Sequence, residues 1–144
     1  MNESAFFNNK NVKQNQIRDV LFEAFQCIDD NNFEFNSSHK ANTEFRVEND
    51  FSNDDLLYIF KQVTVSDFCH IEIDTKYPDE RLYCFKLFFE YANVSDDDIL
   101  SLIAEEEILV KFKLREHAGK KLFIMTIHYP DENKEPWTWI WKEN

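Results

Sequence analysis

"DFCHIEIDTKYPDERLYCFKLFFEY", residues 67–91, decides the fold. In its first part apolar and polar residues alternate. Side chains on a strand point to opposite faces with period two, so Cys69, Ile71 and Ile73 share one side and His70, Glu72 and Asp74 the other. "KYPDER" carries the Pro and Asp of a turn. "LYCFKLFFEY" is apolar on both faces, which marks a central strand. Two such runs around a turn predict an antiparallel hairpin.

The same reading extends in both directions. "QNQIRDVLFEAFQCIDD" (residues 14–30) repeats Ile17, Val20, Leu21, Ala24, Phe25 and Ile28 at helical spacing. "NFEFNS" and "TEFRVEN" alternate, with Phe33/Phe35 and Phe45/Val47 on one side, and predict two short strands joined through "SHKA". "FSNDDLLYIF" opens on Ser52 with Asp55 three residues on, a capping box. Ser95 and Asp98 repeat that pattern in "VSDDDILSLIAEEE" at an offset of 43 residues. "ILVKFKLRE" and "KLFIMTIHY" predict a last hairpin around Ala118 and Gly119. "PWTWIWK" predicts a final strand, with Trp137, Trp139 and Trp141 on one face packed against the core. The expected class is α+β, a single domain over residues 1–144. Helices pack on one face of an antiparallel sheet of about six to seven strands, in the order αββ-αββ-αββ-β.

Composition bounds the chemistry. The chain has 144 residues, 43% hydrophobic and 16% aromatic, enough to fold one core without disulfides or metals. Net charge is −12, from 16 Lys+Arg against 28 Asp+Glu, which repels nucleic-acid phosphates and anionic lipid and attracts basic proteins. Residues 29–107 carry 20 acidic and 6 basic residues, whereas residues 1–28 carry 3 of each and residues 108–144 carry 7 basic and 5 acidic. The negative potential therefore comes from the middle of the chain. A single glycine, Gly119, excludes a P-loop and a dinucleotide fingerprint, which need several. No GxSxG elbow is present. No basic region followed by an apolar run suggests a signal peptide, and Lys86 and Glu90 interrupt the richest apolar stretch, so no membrane span is expected. Cys27, Cys69 and Cys84 form no CxxC and are odd in number, which suits free buried thiols in a cytoplasmic protein.

Three candidate chemistries are weighed against plainer readings. His70, Glu72 and Asp74 could share a divalent ion, but one strand supplies an incomplete shell, and the expected reading is a solvated face without metal. The thiols sit in apolar patterns and read as structural. Asp96, Asp97 and Asp98 lie where a helix N-terminus favours negative charge. Glu105, Glu106 and Glu107 are expected in the last turn of the same helix, where they oppose the macrodipole. They read either as a solvated end or as a surface kept negative for a partner.

In small size, strong acidity and α+β layout the chain resembles toxin-immunity proteins, phage-borne inhibitors and double-stranded-DNA mimics as classes, and also small acidic secretion chaperones. That resemblance implies a non-catalytic protein-binding inhibitor without cofactor, most simply an immunity protein or antitoxin that neutralises a basic nuclease toxin. The expected partner-binding residues are Asp54, Asp55, Asp96, Asp97, Asp98, Glu105, Glu106 and Glu107. The alternatives are a phage or plasmid anti-defence DNA mimic, a small acidic chaperone, and a small enzyme with a carboxylate or Cys/His site. The partner is expected to be protein, with no direct contact to nucleic acid or membrane.

Overall fold

The computed structural model describes residues 11–36, 38–89, 106–116, 119–131 and 137–143. The chain is α+β. Helix α1 (Gln14–Asp29) leads into strand β1 (Phe33–Phe35), followed by helices α2 (Lys40–Glu48) and α3 (Asn53–Lys61). A short 3-10 turn (Val65–Asp67) then leads to strands β2 (Phe68–Ile73), β3 (Arg81–Phe89), β4 (Glu106–Arg115) and β5 (Lys121–His128). The five strands form one mixed sheet in the order β1-β5-β4-β3-β2. The three later pairings are antiparallel, and β1 runs parallel to β5.

One core lies on one face of this sheet. α1 contributes Ile17, Leu21, Ala24 and Ile28, and α3 contributes Leu56, Ile59 and Phe60. They meet Phe85 and Leu87 of β3, Ile108, Val110 and Phe112 of β4, and Leu122 and Ile124 of β5. Phe85 and Phe112 stack with ring centroids 5.6 Å apart, and Phe60 meets Phe112 edge-on at 5.3 Å. With one glycine in the chain, other residues must turn the helix ends. Asn31 (φ 57°) and Asp50 (φ 54°) take the left-handed conformation after α1 and α2, which Asn and Asp tolerate best among residues with a Cβ.

Several expectations are met. α1 and the Ser52–Asp55 capping box are as read, with Ser52 Oγ accepting from Asp55 N at 3.2 Å. The expected hairpin is β2–β3 over the described residues 68–89, and β3 is flanked on both sides. Gly119 turns the last hairpin with φ 103°.

Others need correction. "TEFRVEN" is not a strand: it lies in α2, with Phe45 2% exposed and Val47 70% exposed, although both were expected on one side. Asn42 and Phe45, one turn apart, face inward instead. The sheet is mixed, and among the described residues it has five strands, so the order αββ-αββ-αββ-β does not hold. "PWTWIWK" is not a strand either: residues 137–143 form no ladder. Glu106 and Glu107 open β4 rather than close a helix. The expected helix with Ser95 and Asp98, including Asp96, Asp97, Asp98 and Glu105, lies outside the described residues.

The parallel edge explains α2. β1 covers β5 only from Leu122 to Ile124, and Asn36 N donates to Ile124 O at 2.8 Å. Beyond that point the amide of Asn42 takes over the ladder. Its Nδ2 donates to Met125 O at 2.9 Å, and its Oδ1 accepts from Ile127 N at 2.9 Å. One side chain thus closes the edge that β1 leaves open, at the irregularity where β5 slips past β4. Replacing Asn42 by Leu orphans both backbone groups and is expected to cost roughly 2–4 kcal/mol, at about 1–3 per buried unpaired group. Urea unfolding of the variant measures this.

The C-terminal segment is held by side chains rather than by a ladder. Trp141 stacks on Phe68 with centroids 5.2 Å apart, Lys142 pairs with the buried Asp67 at 2.7 Å, and Ile140 N donates to Phe68 O at 3.4 Å. Trp141→Ala is therefore expected to cost about 2–3 kcal/mol, below the range for a fully buried aromatic because the ring is half-exposed. Phe22→Ala, at a position 68% exposed, is expected to change stability by less than about 0.5 kcal/mol. Thermal melts of the two variants provide the comparison.

Candidate functional site

The second face of the sheet is polar. Alternation along β4 sends Ile108, Val110 and Phe112 to the core and Lys111, Lys113 and Arg115 to the opposite side. These cations are matched by carboxylates of β2 and of the β2–β3 turn, across β3. Lys111 Nζ lies 3.0 Å from Glu72 Oε1. Lys113 Nζ lies 2.7 Å from both Asp74 Oδ2 and Glu80 Oε1, and Arg115 Nε lies 2.6 Å from Glu80 Oε2. Lys113 is only 4% exposed, so its charge depends on these partners.

Across the strands, His70 of β2 stands opposite Cys84 of β3, which stands opposite Lys111 of β4, then Thr126 of β5. Glu72 is two residues from His70 on the same face. Its Oε2 lies 2.9 Å from His70 Nε2. Burial pushes the Glu72 carboxyl up, but the His70 hydrogen bond and the Lys111 ammonium outweigh it and bring it down to about 2. An ionised carboxylate only accepts, so Nε2 of His70 carries the shared proton. Cys84 is wholly buried; burial and the neighbouring Glu72 carboxylate push its thiol well above the ordinary value. Burial also raises Cys69, to about 12, and Cys27 is raised too. All three thiols are free. None has the lowered pKa of a nucleophilic thiol.

The tryptophans cover this region. Trp137 meets His70 edge-on at 5.3 Å, and Lys86 Nζ donates to Trp137 O at 2.8 Å. Trp139 Nε1 donates to Lys86 O at 2.7 Å, and the Lys86 ammonium lies 4.1 Å from the Trp139 ring centroid. The segment sits on β2–β3 by ring packing and lysine bonds.

Beside Trp137 opens a cavity of about 640 Å³. Lys86, Lys111 and Glu72 line it from the sheet, and Trp137 and Tyr129 supply aromatic wall. Glu44 and Glu48 of α2, Glu107 of β4 and Asp131 after β5 also line it. His39 stacks on His128 there, with ring centroids 5.3 Å apart. Five carboxylates thus meet two ammonium groups, and both ammonium groups are engaged with the protein's own acceptors.

The expected site residues are divided by the structure. Glu107 lines the cavity, and Glu106 is exposed at the start of β4. Asp54 and Asp55 occupy the first turn of α3, where Asp55 is taken up by the cap with Ser52. Asp96, Asp97, Asp98 and Glu105 lie outside the described residues. Sequence reasoning missed Glu44 and Glu48, whose spacing of four reveals one helix face only once "TEFRVEN" is read as a helix. It placed Asp74 beside His70 and Glu72, but Lys113 holds Asp74, and Cys84 from the next strand takes that place. No protein-family model, curated protein or solved structure matches the chain.

The ion pairs fix an acid dependence. The Arg115 bond pulls the Glu80 carboxyl down; slight burial opposes it and Lys113 adds to it, leaving about 2 against an ordinary 4.5. A carboxyl lowered on folding contributes stability that is complete above the unfolded value and is lost as pH falls through the folded one. Stability is thus expected to fall between about pH 4.5 and about 2. Glu80→Gln is expected to flatten this decline, as read from urea midpoints across that interval.

Proposed function

We propose that this chain is a non-catalytic, protein-binding inhibitor of the toxin-immunity type, whose target is a basic protein such as a nuclease. The observation that carries the reading is the charge of the cavity. Glu44, Glu48, Glu107 and Asp131 surround it, while Lys86 and Lys111 are engaged with Trp137 and Glu72. An ammonium or guanidinium group entering there meets a wall in which five carboxylates outnumber two ammonium groups, and the rings of Trp137 and Tyr129, which attract cations. The cavity, at about 640 Å³, has room for more than one Lys or Arg side chain; ligand pockets run from about 300 to 1,000 Å³. Nucleases hold phosphates with basic clefts, so such a target offers the complementary group.

The overall charge of −12 adds long-range steering toward the same partner. Grouping of carboxylates round one concavity favours insertion of basic side chains over mimicry of a regular phosphate array, the DNA-mimic alternative. The elevated thiols argue against a Cys/His enzyme.

An arginine-rich peptide and the same peptide with its arginines replaced by glutamine serve as probes, read by tryptophan fluorescence because Trp137 lines the cavity. The arginine peptide is expected to bind with an on-rate that falls as salt rises. Glu44→Lys with Glu48→Lys, both exposed on α2, is expected to weaken binding at least about tenfold, the equivalent of roughly 1.4 kcal/mol, with only a small loss of melting temperature from the exposed Lys40–Glu44 pair. Equal binding of both peptides, or affinity unaffected by the double reversal, overturns the reading.

A further inference from the structure

Three donors of different chemistry converge beneath the tryptophans. His70, Glu72 and Cys84 each offer one ligand atom, and these atoms all lie within 4.8 Å of one another. We propose that His70 Nε2, Glu72 Oε2 and Cys84 Sγ form a binding site for a divalent transition-metal ion of the zinc class.

The sheet itself builds the constellation. His70 and Cys84 are direct cross-strand partners, and Glu72 follows His70 by the two-residue period of one face. Donors bound at about 2.0–2.3 Å around one tetrahedral ion stand roughly 3.3–3.8 Å apart, so the observed spread needs only side-chain adjustment. Nitrogen, thiol sulfur and a single carboxylate oxygen select zinc-like ions over magnesium or calcium, which prefer all-oxygen shells.

The surroundings hold the donors in place. Lys111 takes Glu72 Oε1 at 3.0 Å and leaves Oε2 turned toward His70. Trp137 packs edge-on against the His70 ring. Such outer partners orient ligands in metal sites. Asp74 is excluded by its 2.7 Å pair with Lys113. Coordination releases the Cys84 proton to solvent and moves the His70 proton from Nε2 to Nδ1, so the imidazole stays neutral and the thiolate binds. The nearby Lys111 ammonium opposes the incoming dication and keeps affinity below that of an all-cysteine site. Glu72 lines the cavity, so the fourth position opens toward it, available to water or to an incoming ligand. Nothing in this assignment depends on the basic-partner reading.

The full chain, treated with chelator and freed of any tag, is titrated with cobalt(II). One equivalent is expected to bind and give a thiolate-to-cobalt charge-transfer absorption that zinc abolishes by displacement. Cys84→Ser is expected to lose this absorption, while Cys27→Ser and Cys69→Ser keep it. His70→Gln is expected to lower affinity at least about tenfold. A measurement on the unaltered protein guards against variants that fail to fold: zinc, and not magnesium, is expected to raise its melting temperature, because only the folded chain gathers the three donors. Absence of saturable cobalt–thiolate absorption in the unaltered protein overturns the proposal. So does absorption that survives in Cys84→Ser, or a melting temperature indifferent to zinc.

Discussion

Charge on a covered sheet face must be compensated, and this constraint organises the molecule. β3 and β4 are interior strands with apolar core on one side, so their alternate residues face a second side that is also largely covered. Lys113 and Cys84 lie there at 4% and 0% exposure. A buried ammonium is costly unless paired and hydrogen-bonded. Asp74 and Glu80 meet that requirement for Lys113, as Glu72 does for Lys111. The acids of residues 72–80 and the bases of residues 111–115 are thus two halves of one arrangement, brought together because β3 sits between them.

The C-terminal tryptophans belong to the same arrangement. A final strand would have met the β2 edge through a ladder of backbone bonds, of which the segment makes one, from Ile140 N to Phe68 O. Here Lys86, pointing to the second face, takes the carbonyl of Trp137 and lies against the Trp139 ring, and Lys142 reaches the buried Asp67. Large amphipathic rings with one N–H cover a partly polar surface well, since each can pack and still satisfy its donor. They also shield the His70–Glu72 pair on one side, while the cavity opens on the other.

Net charge and charge placement carry different information. Internal pairs occupy many of the lysines and arginines, and the cavity lining gathers five carboxylates against two ammonium groups, a placement that the total of −12 does not reveal. Carboxylates at helix starts have a local role already: Asp55 caps α3, and Asp54 faces the positive end of its dipole. Glu44 pairs with Lys40 one turn back on α2, while Glu48 and Glu107 line the cavity without a cap or dipole role in their own elements.

The sequence by itself determined the elements with strong local signals. α1 has six apolar residues at one period, α3 has a capping box, and β2–β3 and β4–β5 have alternation about a turn. It also determined the thiol state and the classes of chemistry that one glycine excludes. Tertiary structure decided the rest. "TEFRVEN" alternates like a strand, but its good helix formers and the need of β5 for the Asn42 amide make it α2; that need is invisible until β1 and β5 are paired in parallel. Parallel pairing joins residues about ninety positions apart, and no local pattern encodes it. "WTWIW" alternates as well, yet lysines of other elements capture its carbonyl and its rings. The same limit applies to the site. His70 and Glu72 are neighbours by strand period alone, whereas Cys84, Lys111 and the carboxylates of α2 reach them only through register, which the whole sheet sets.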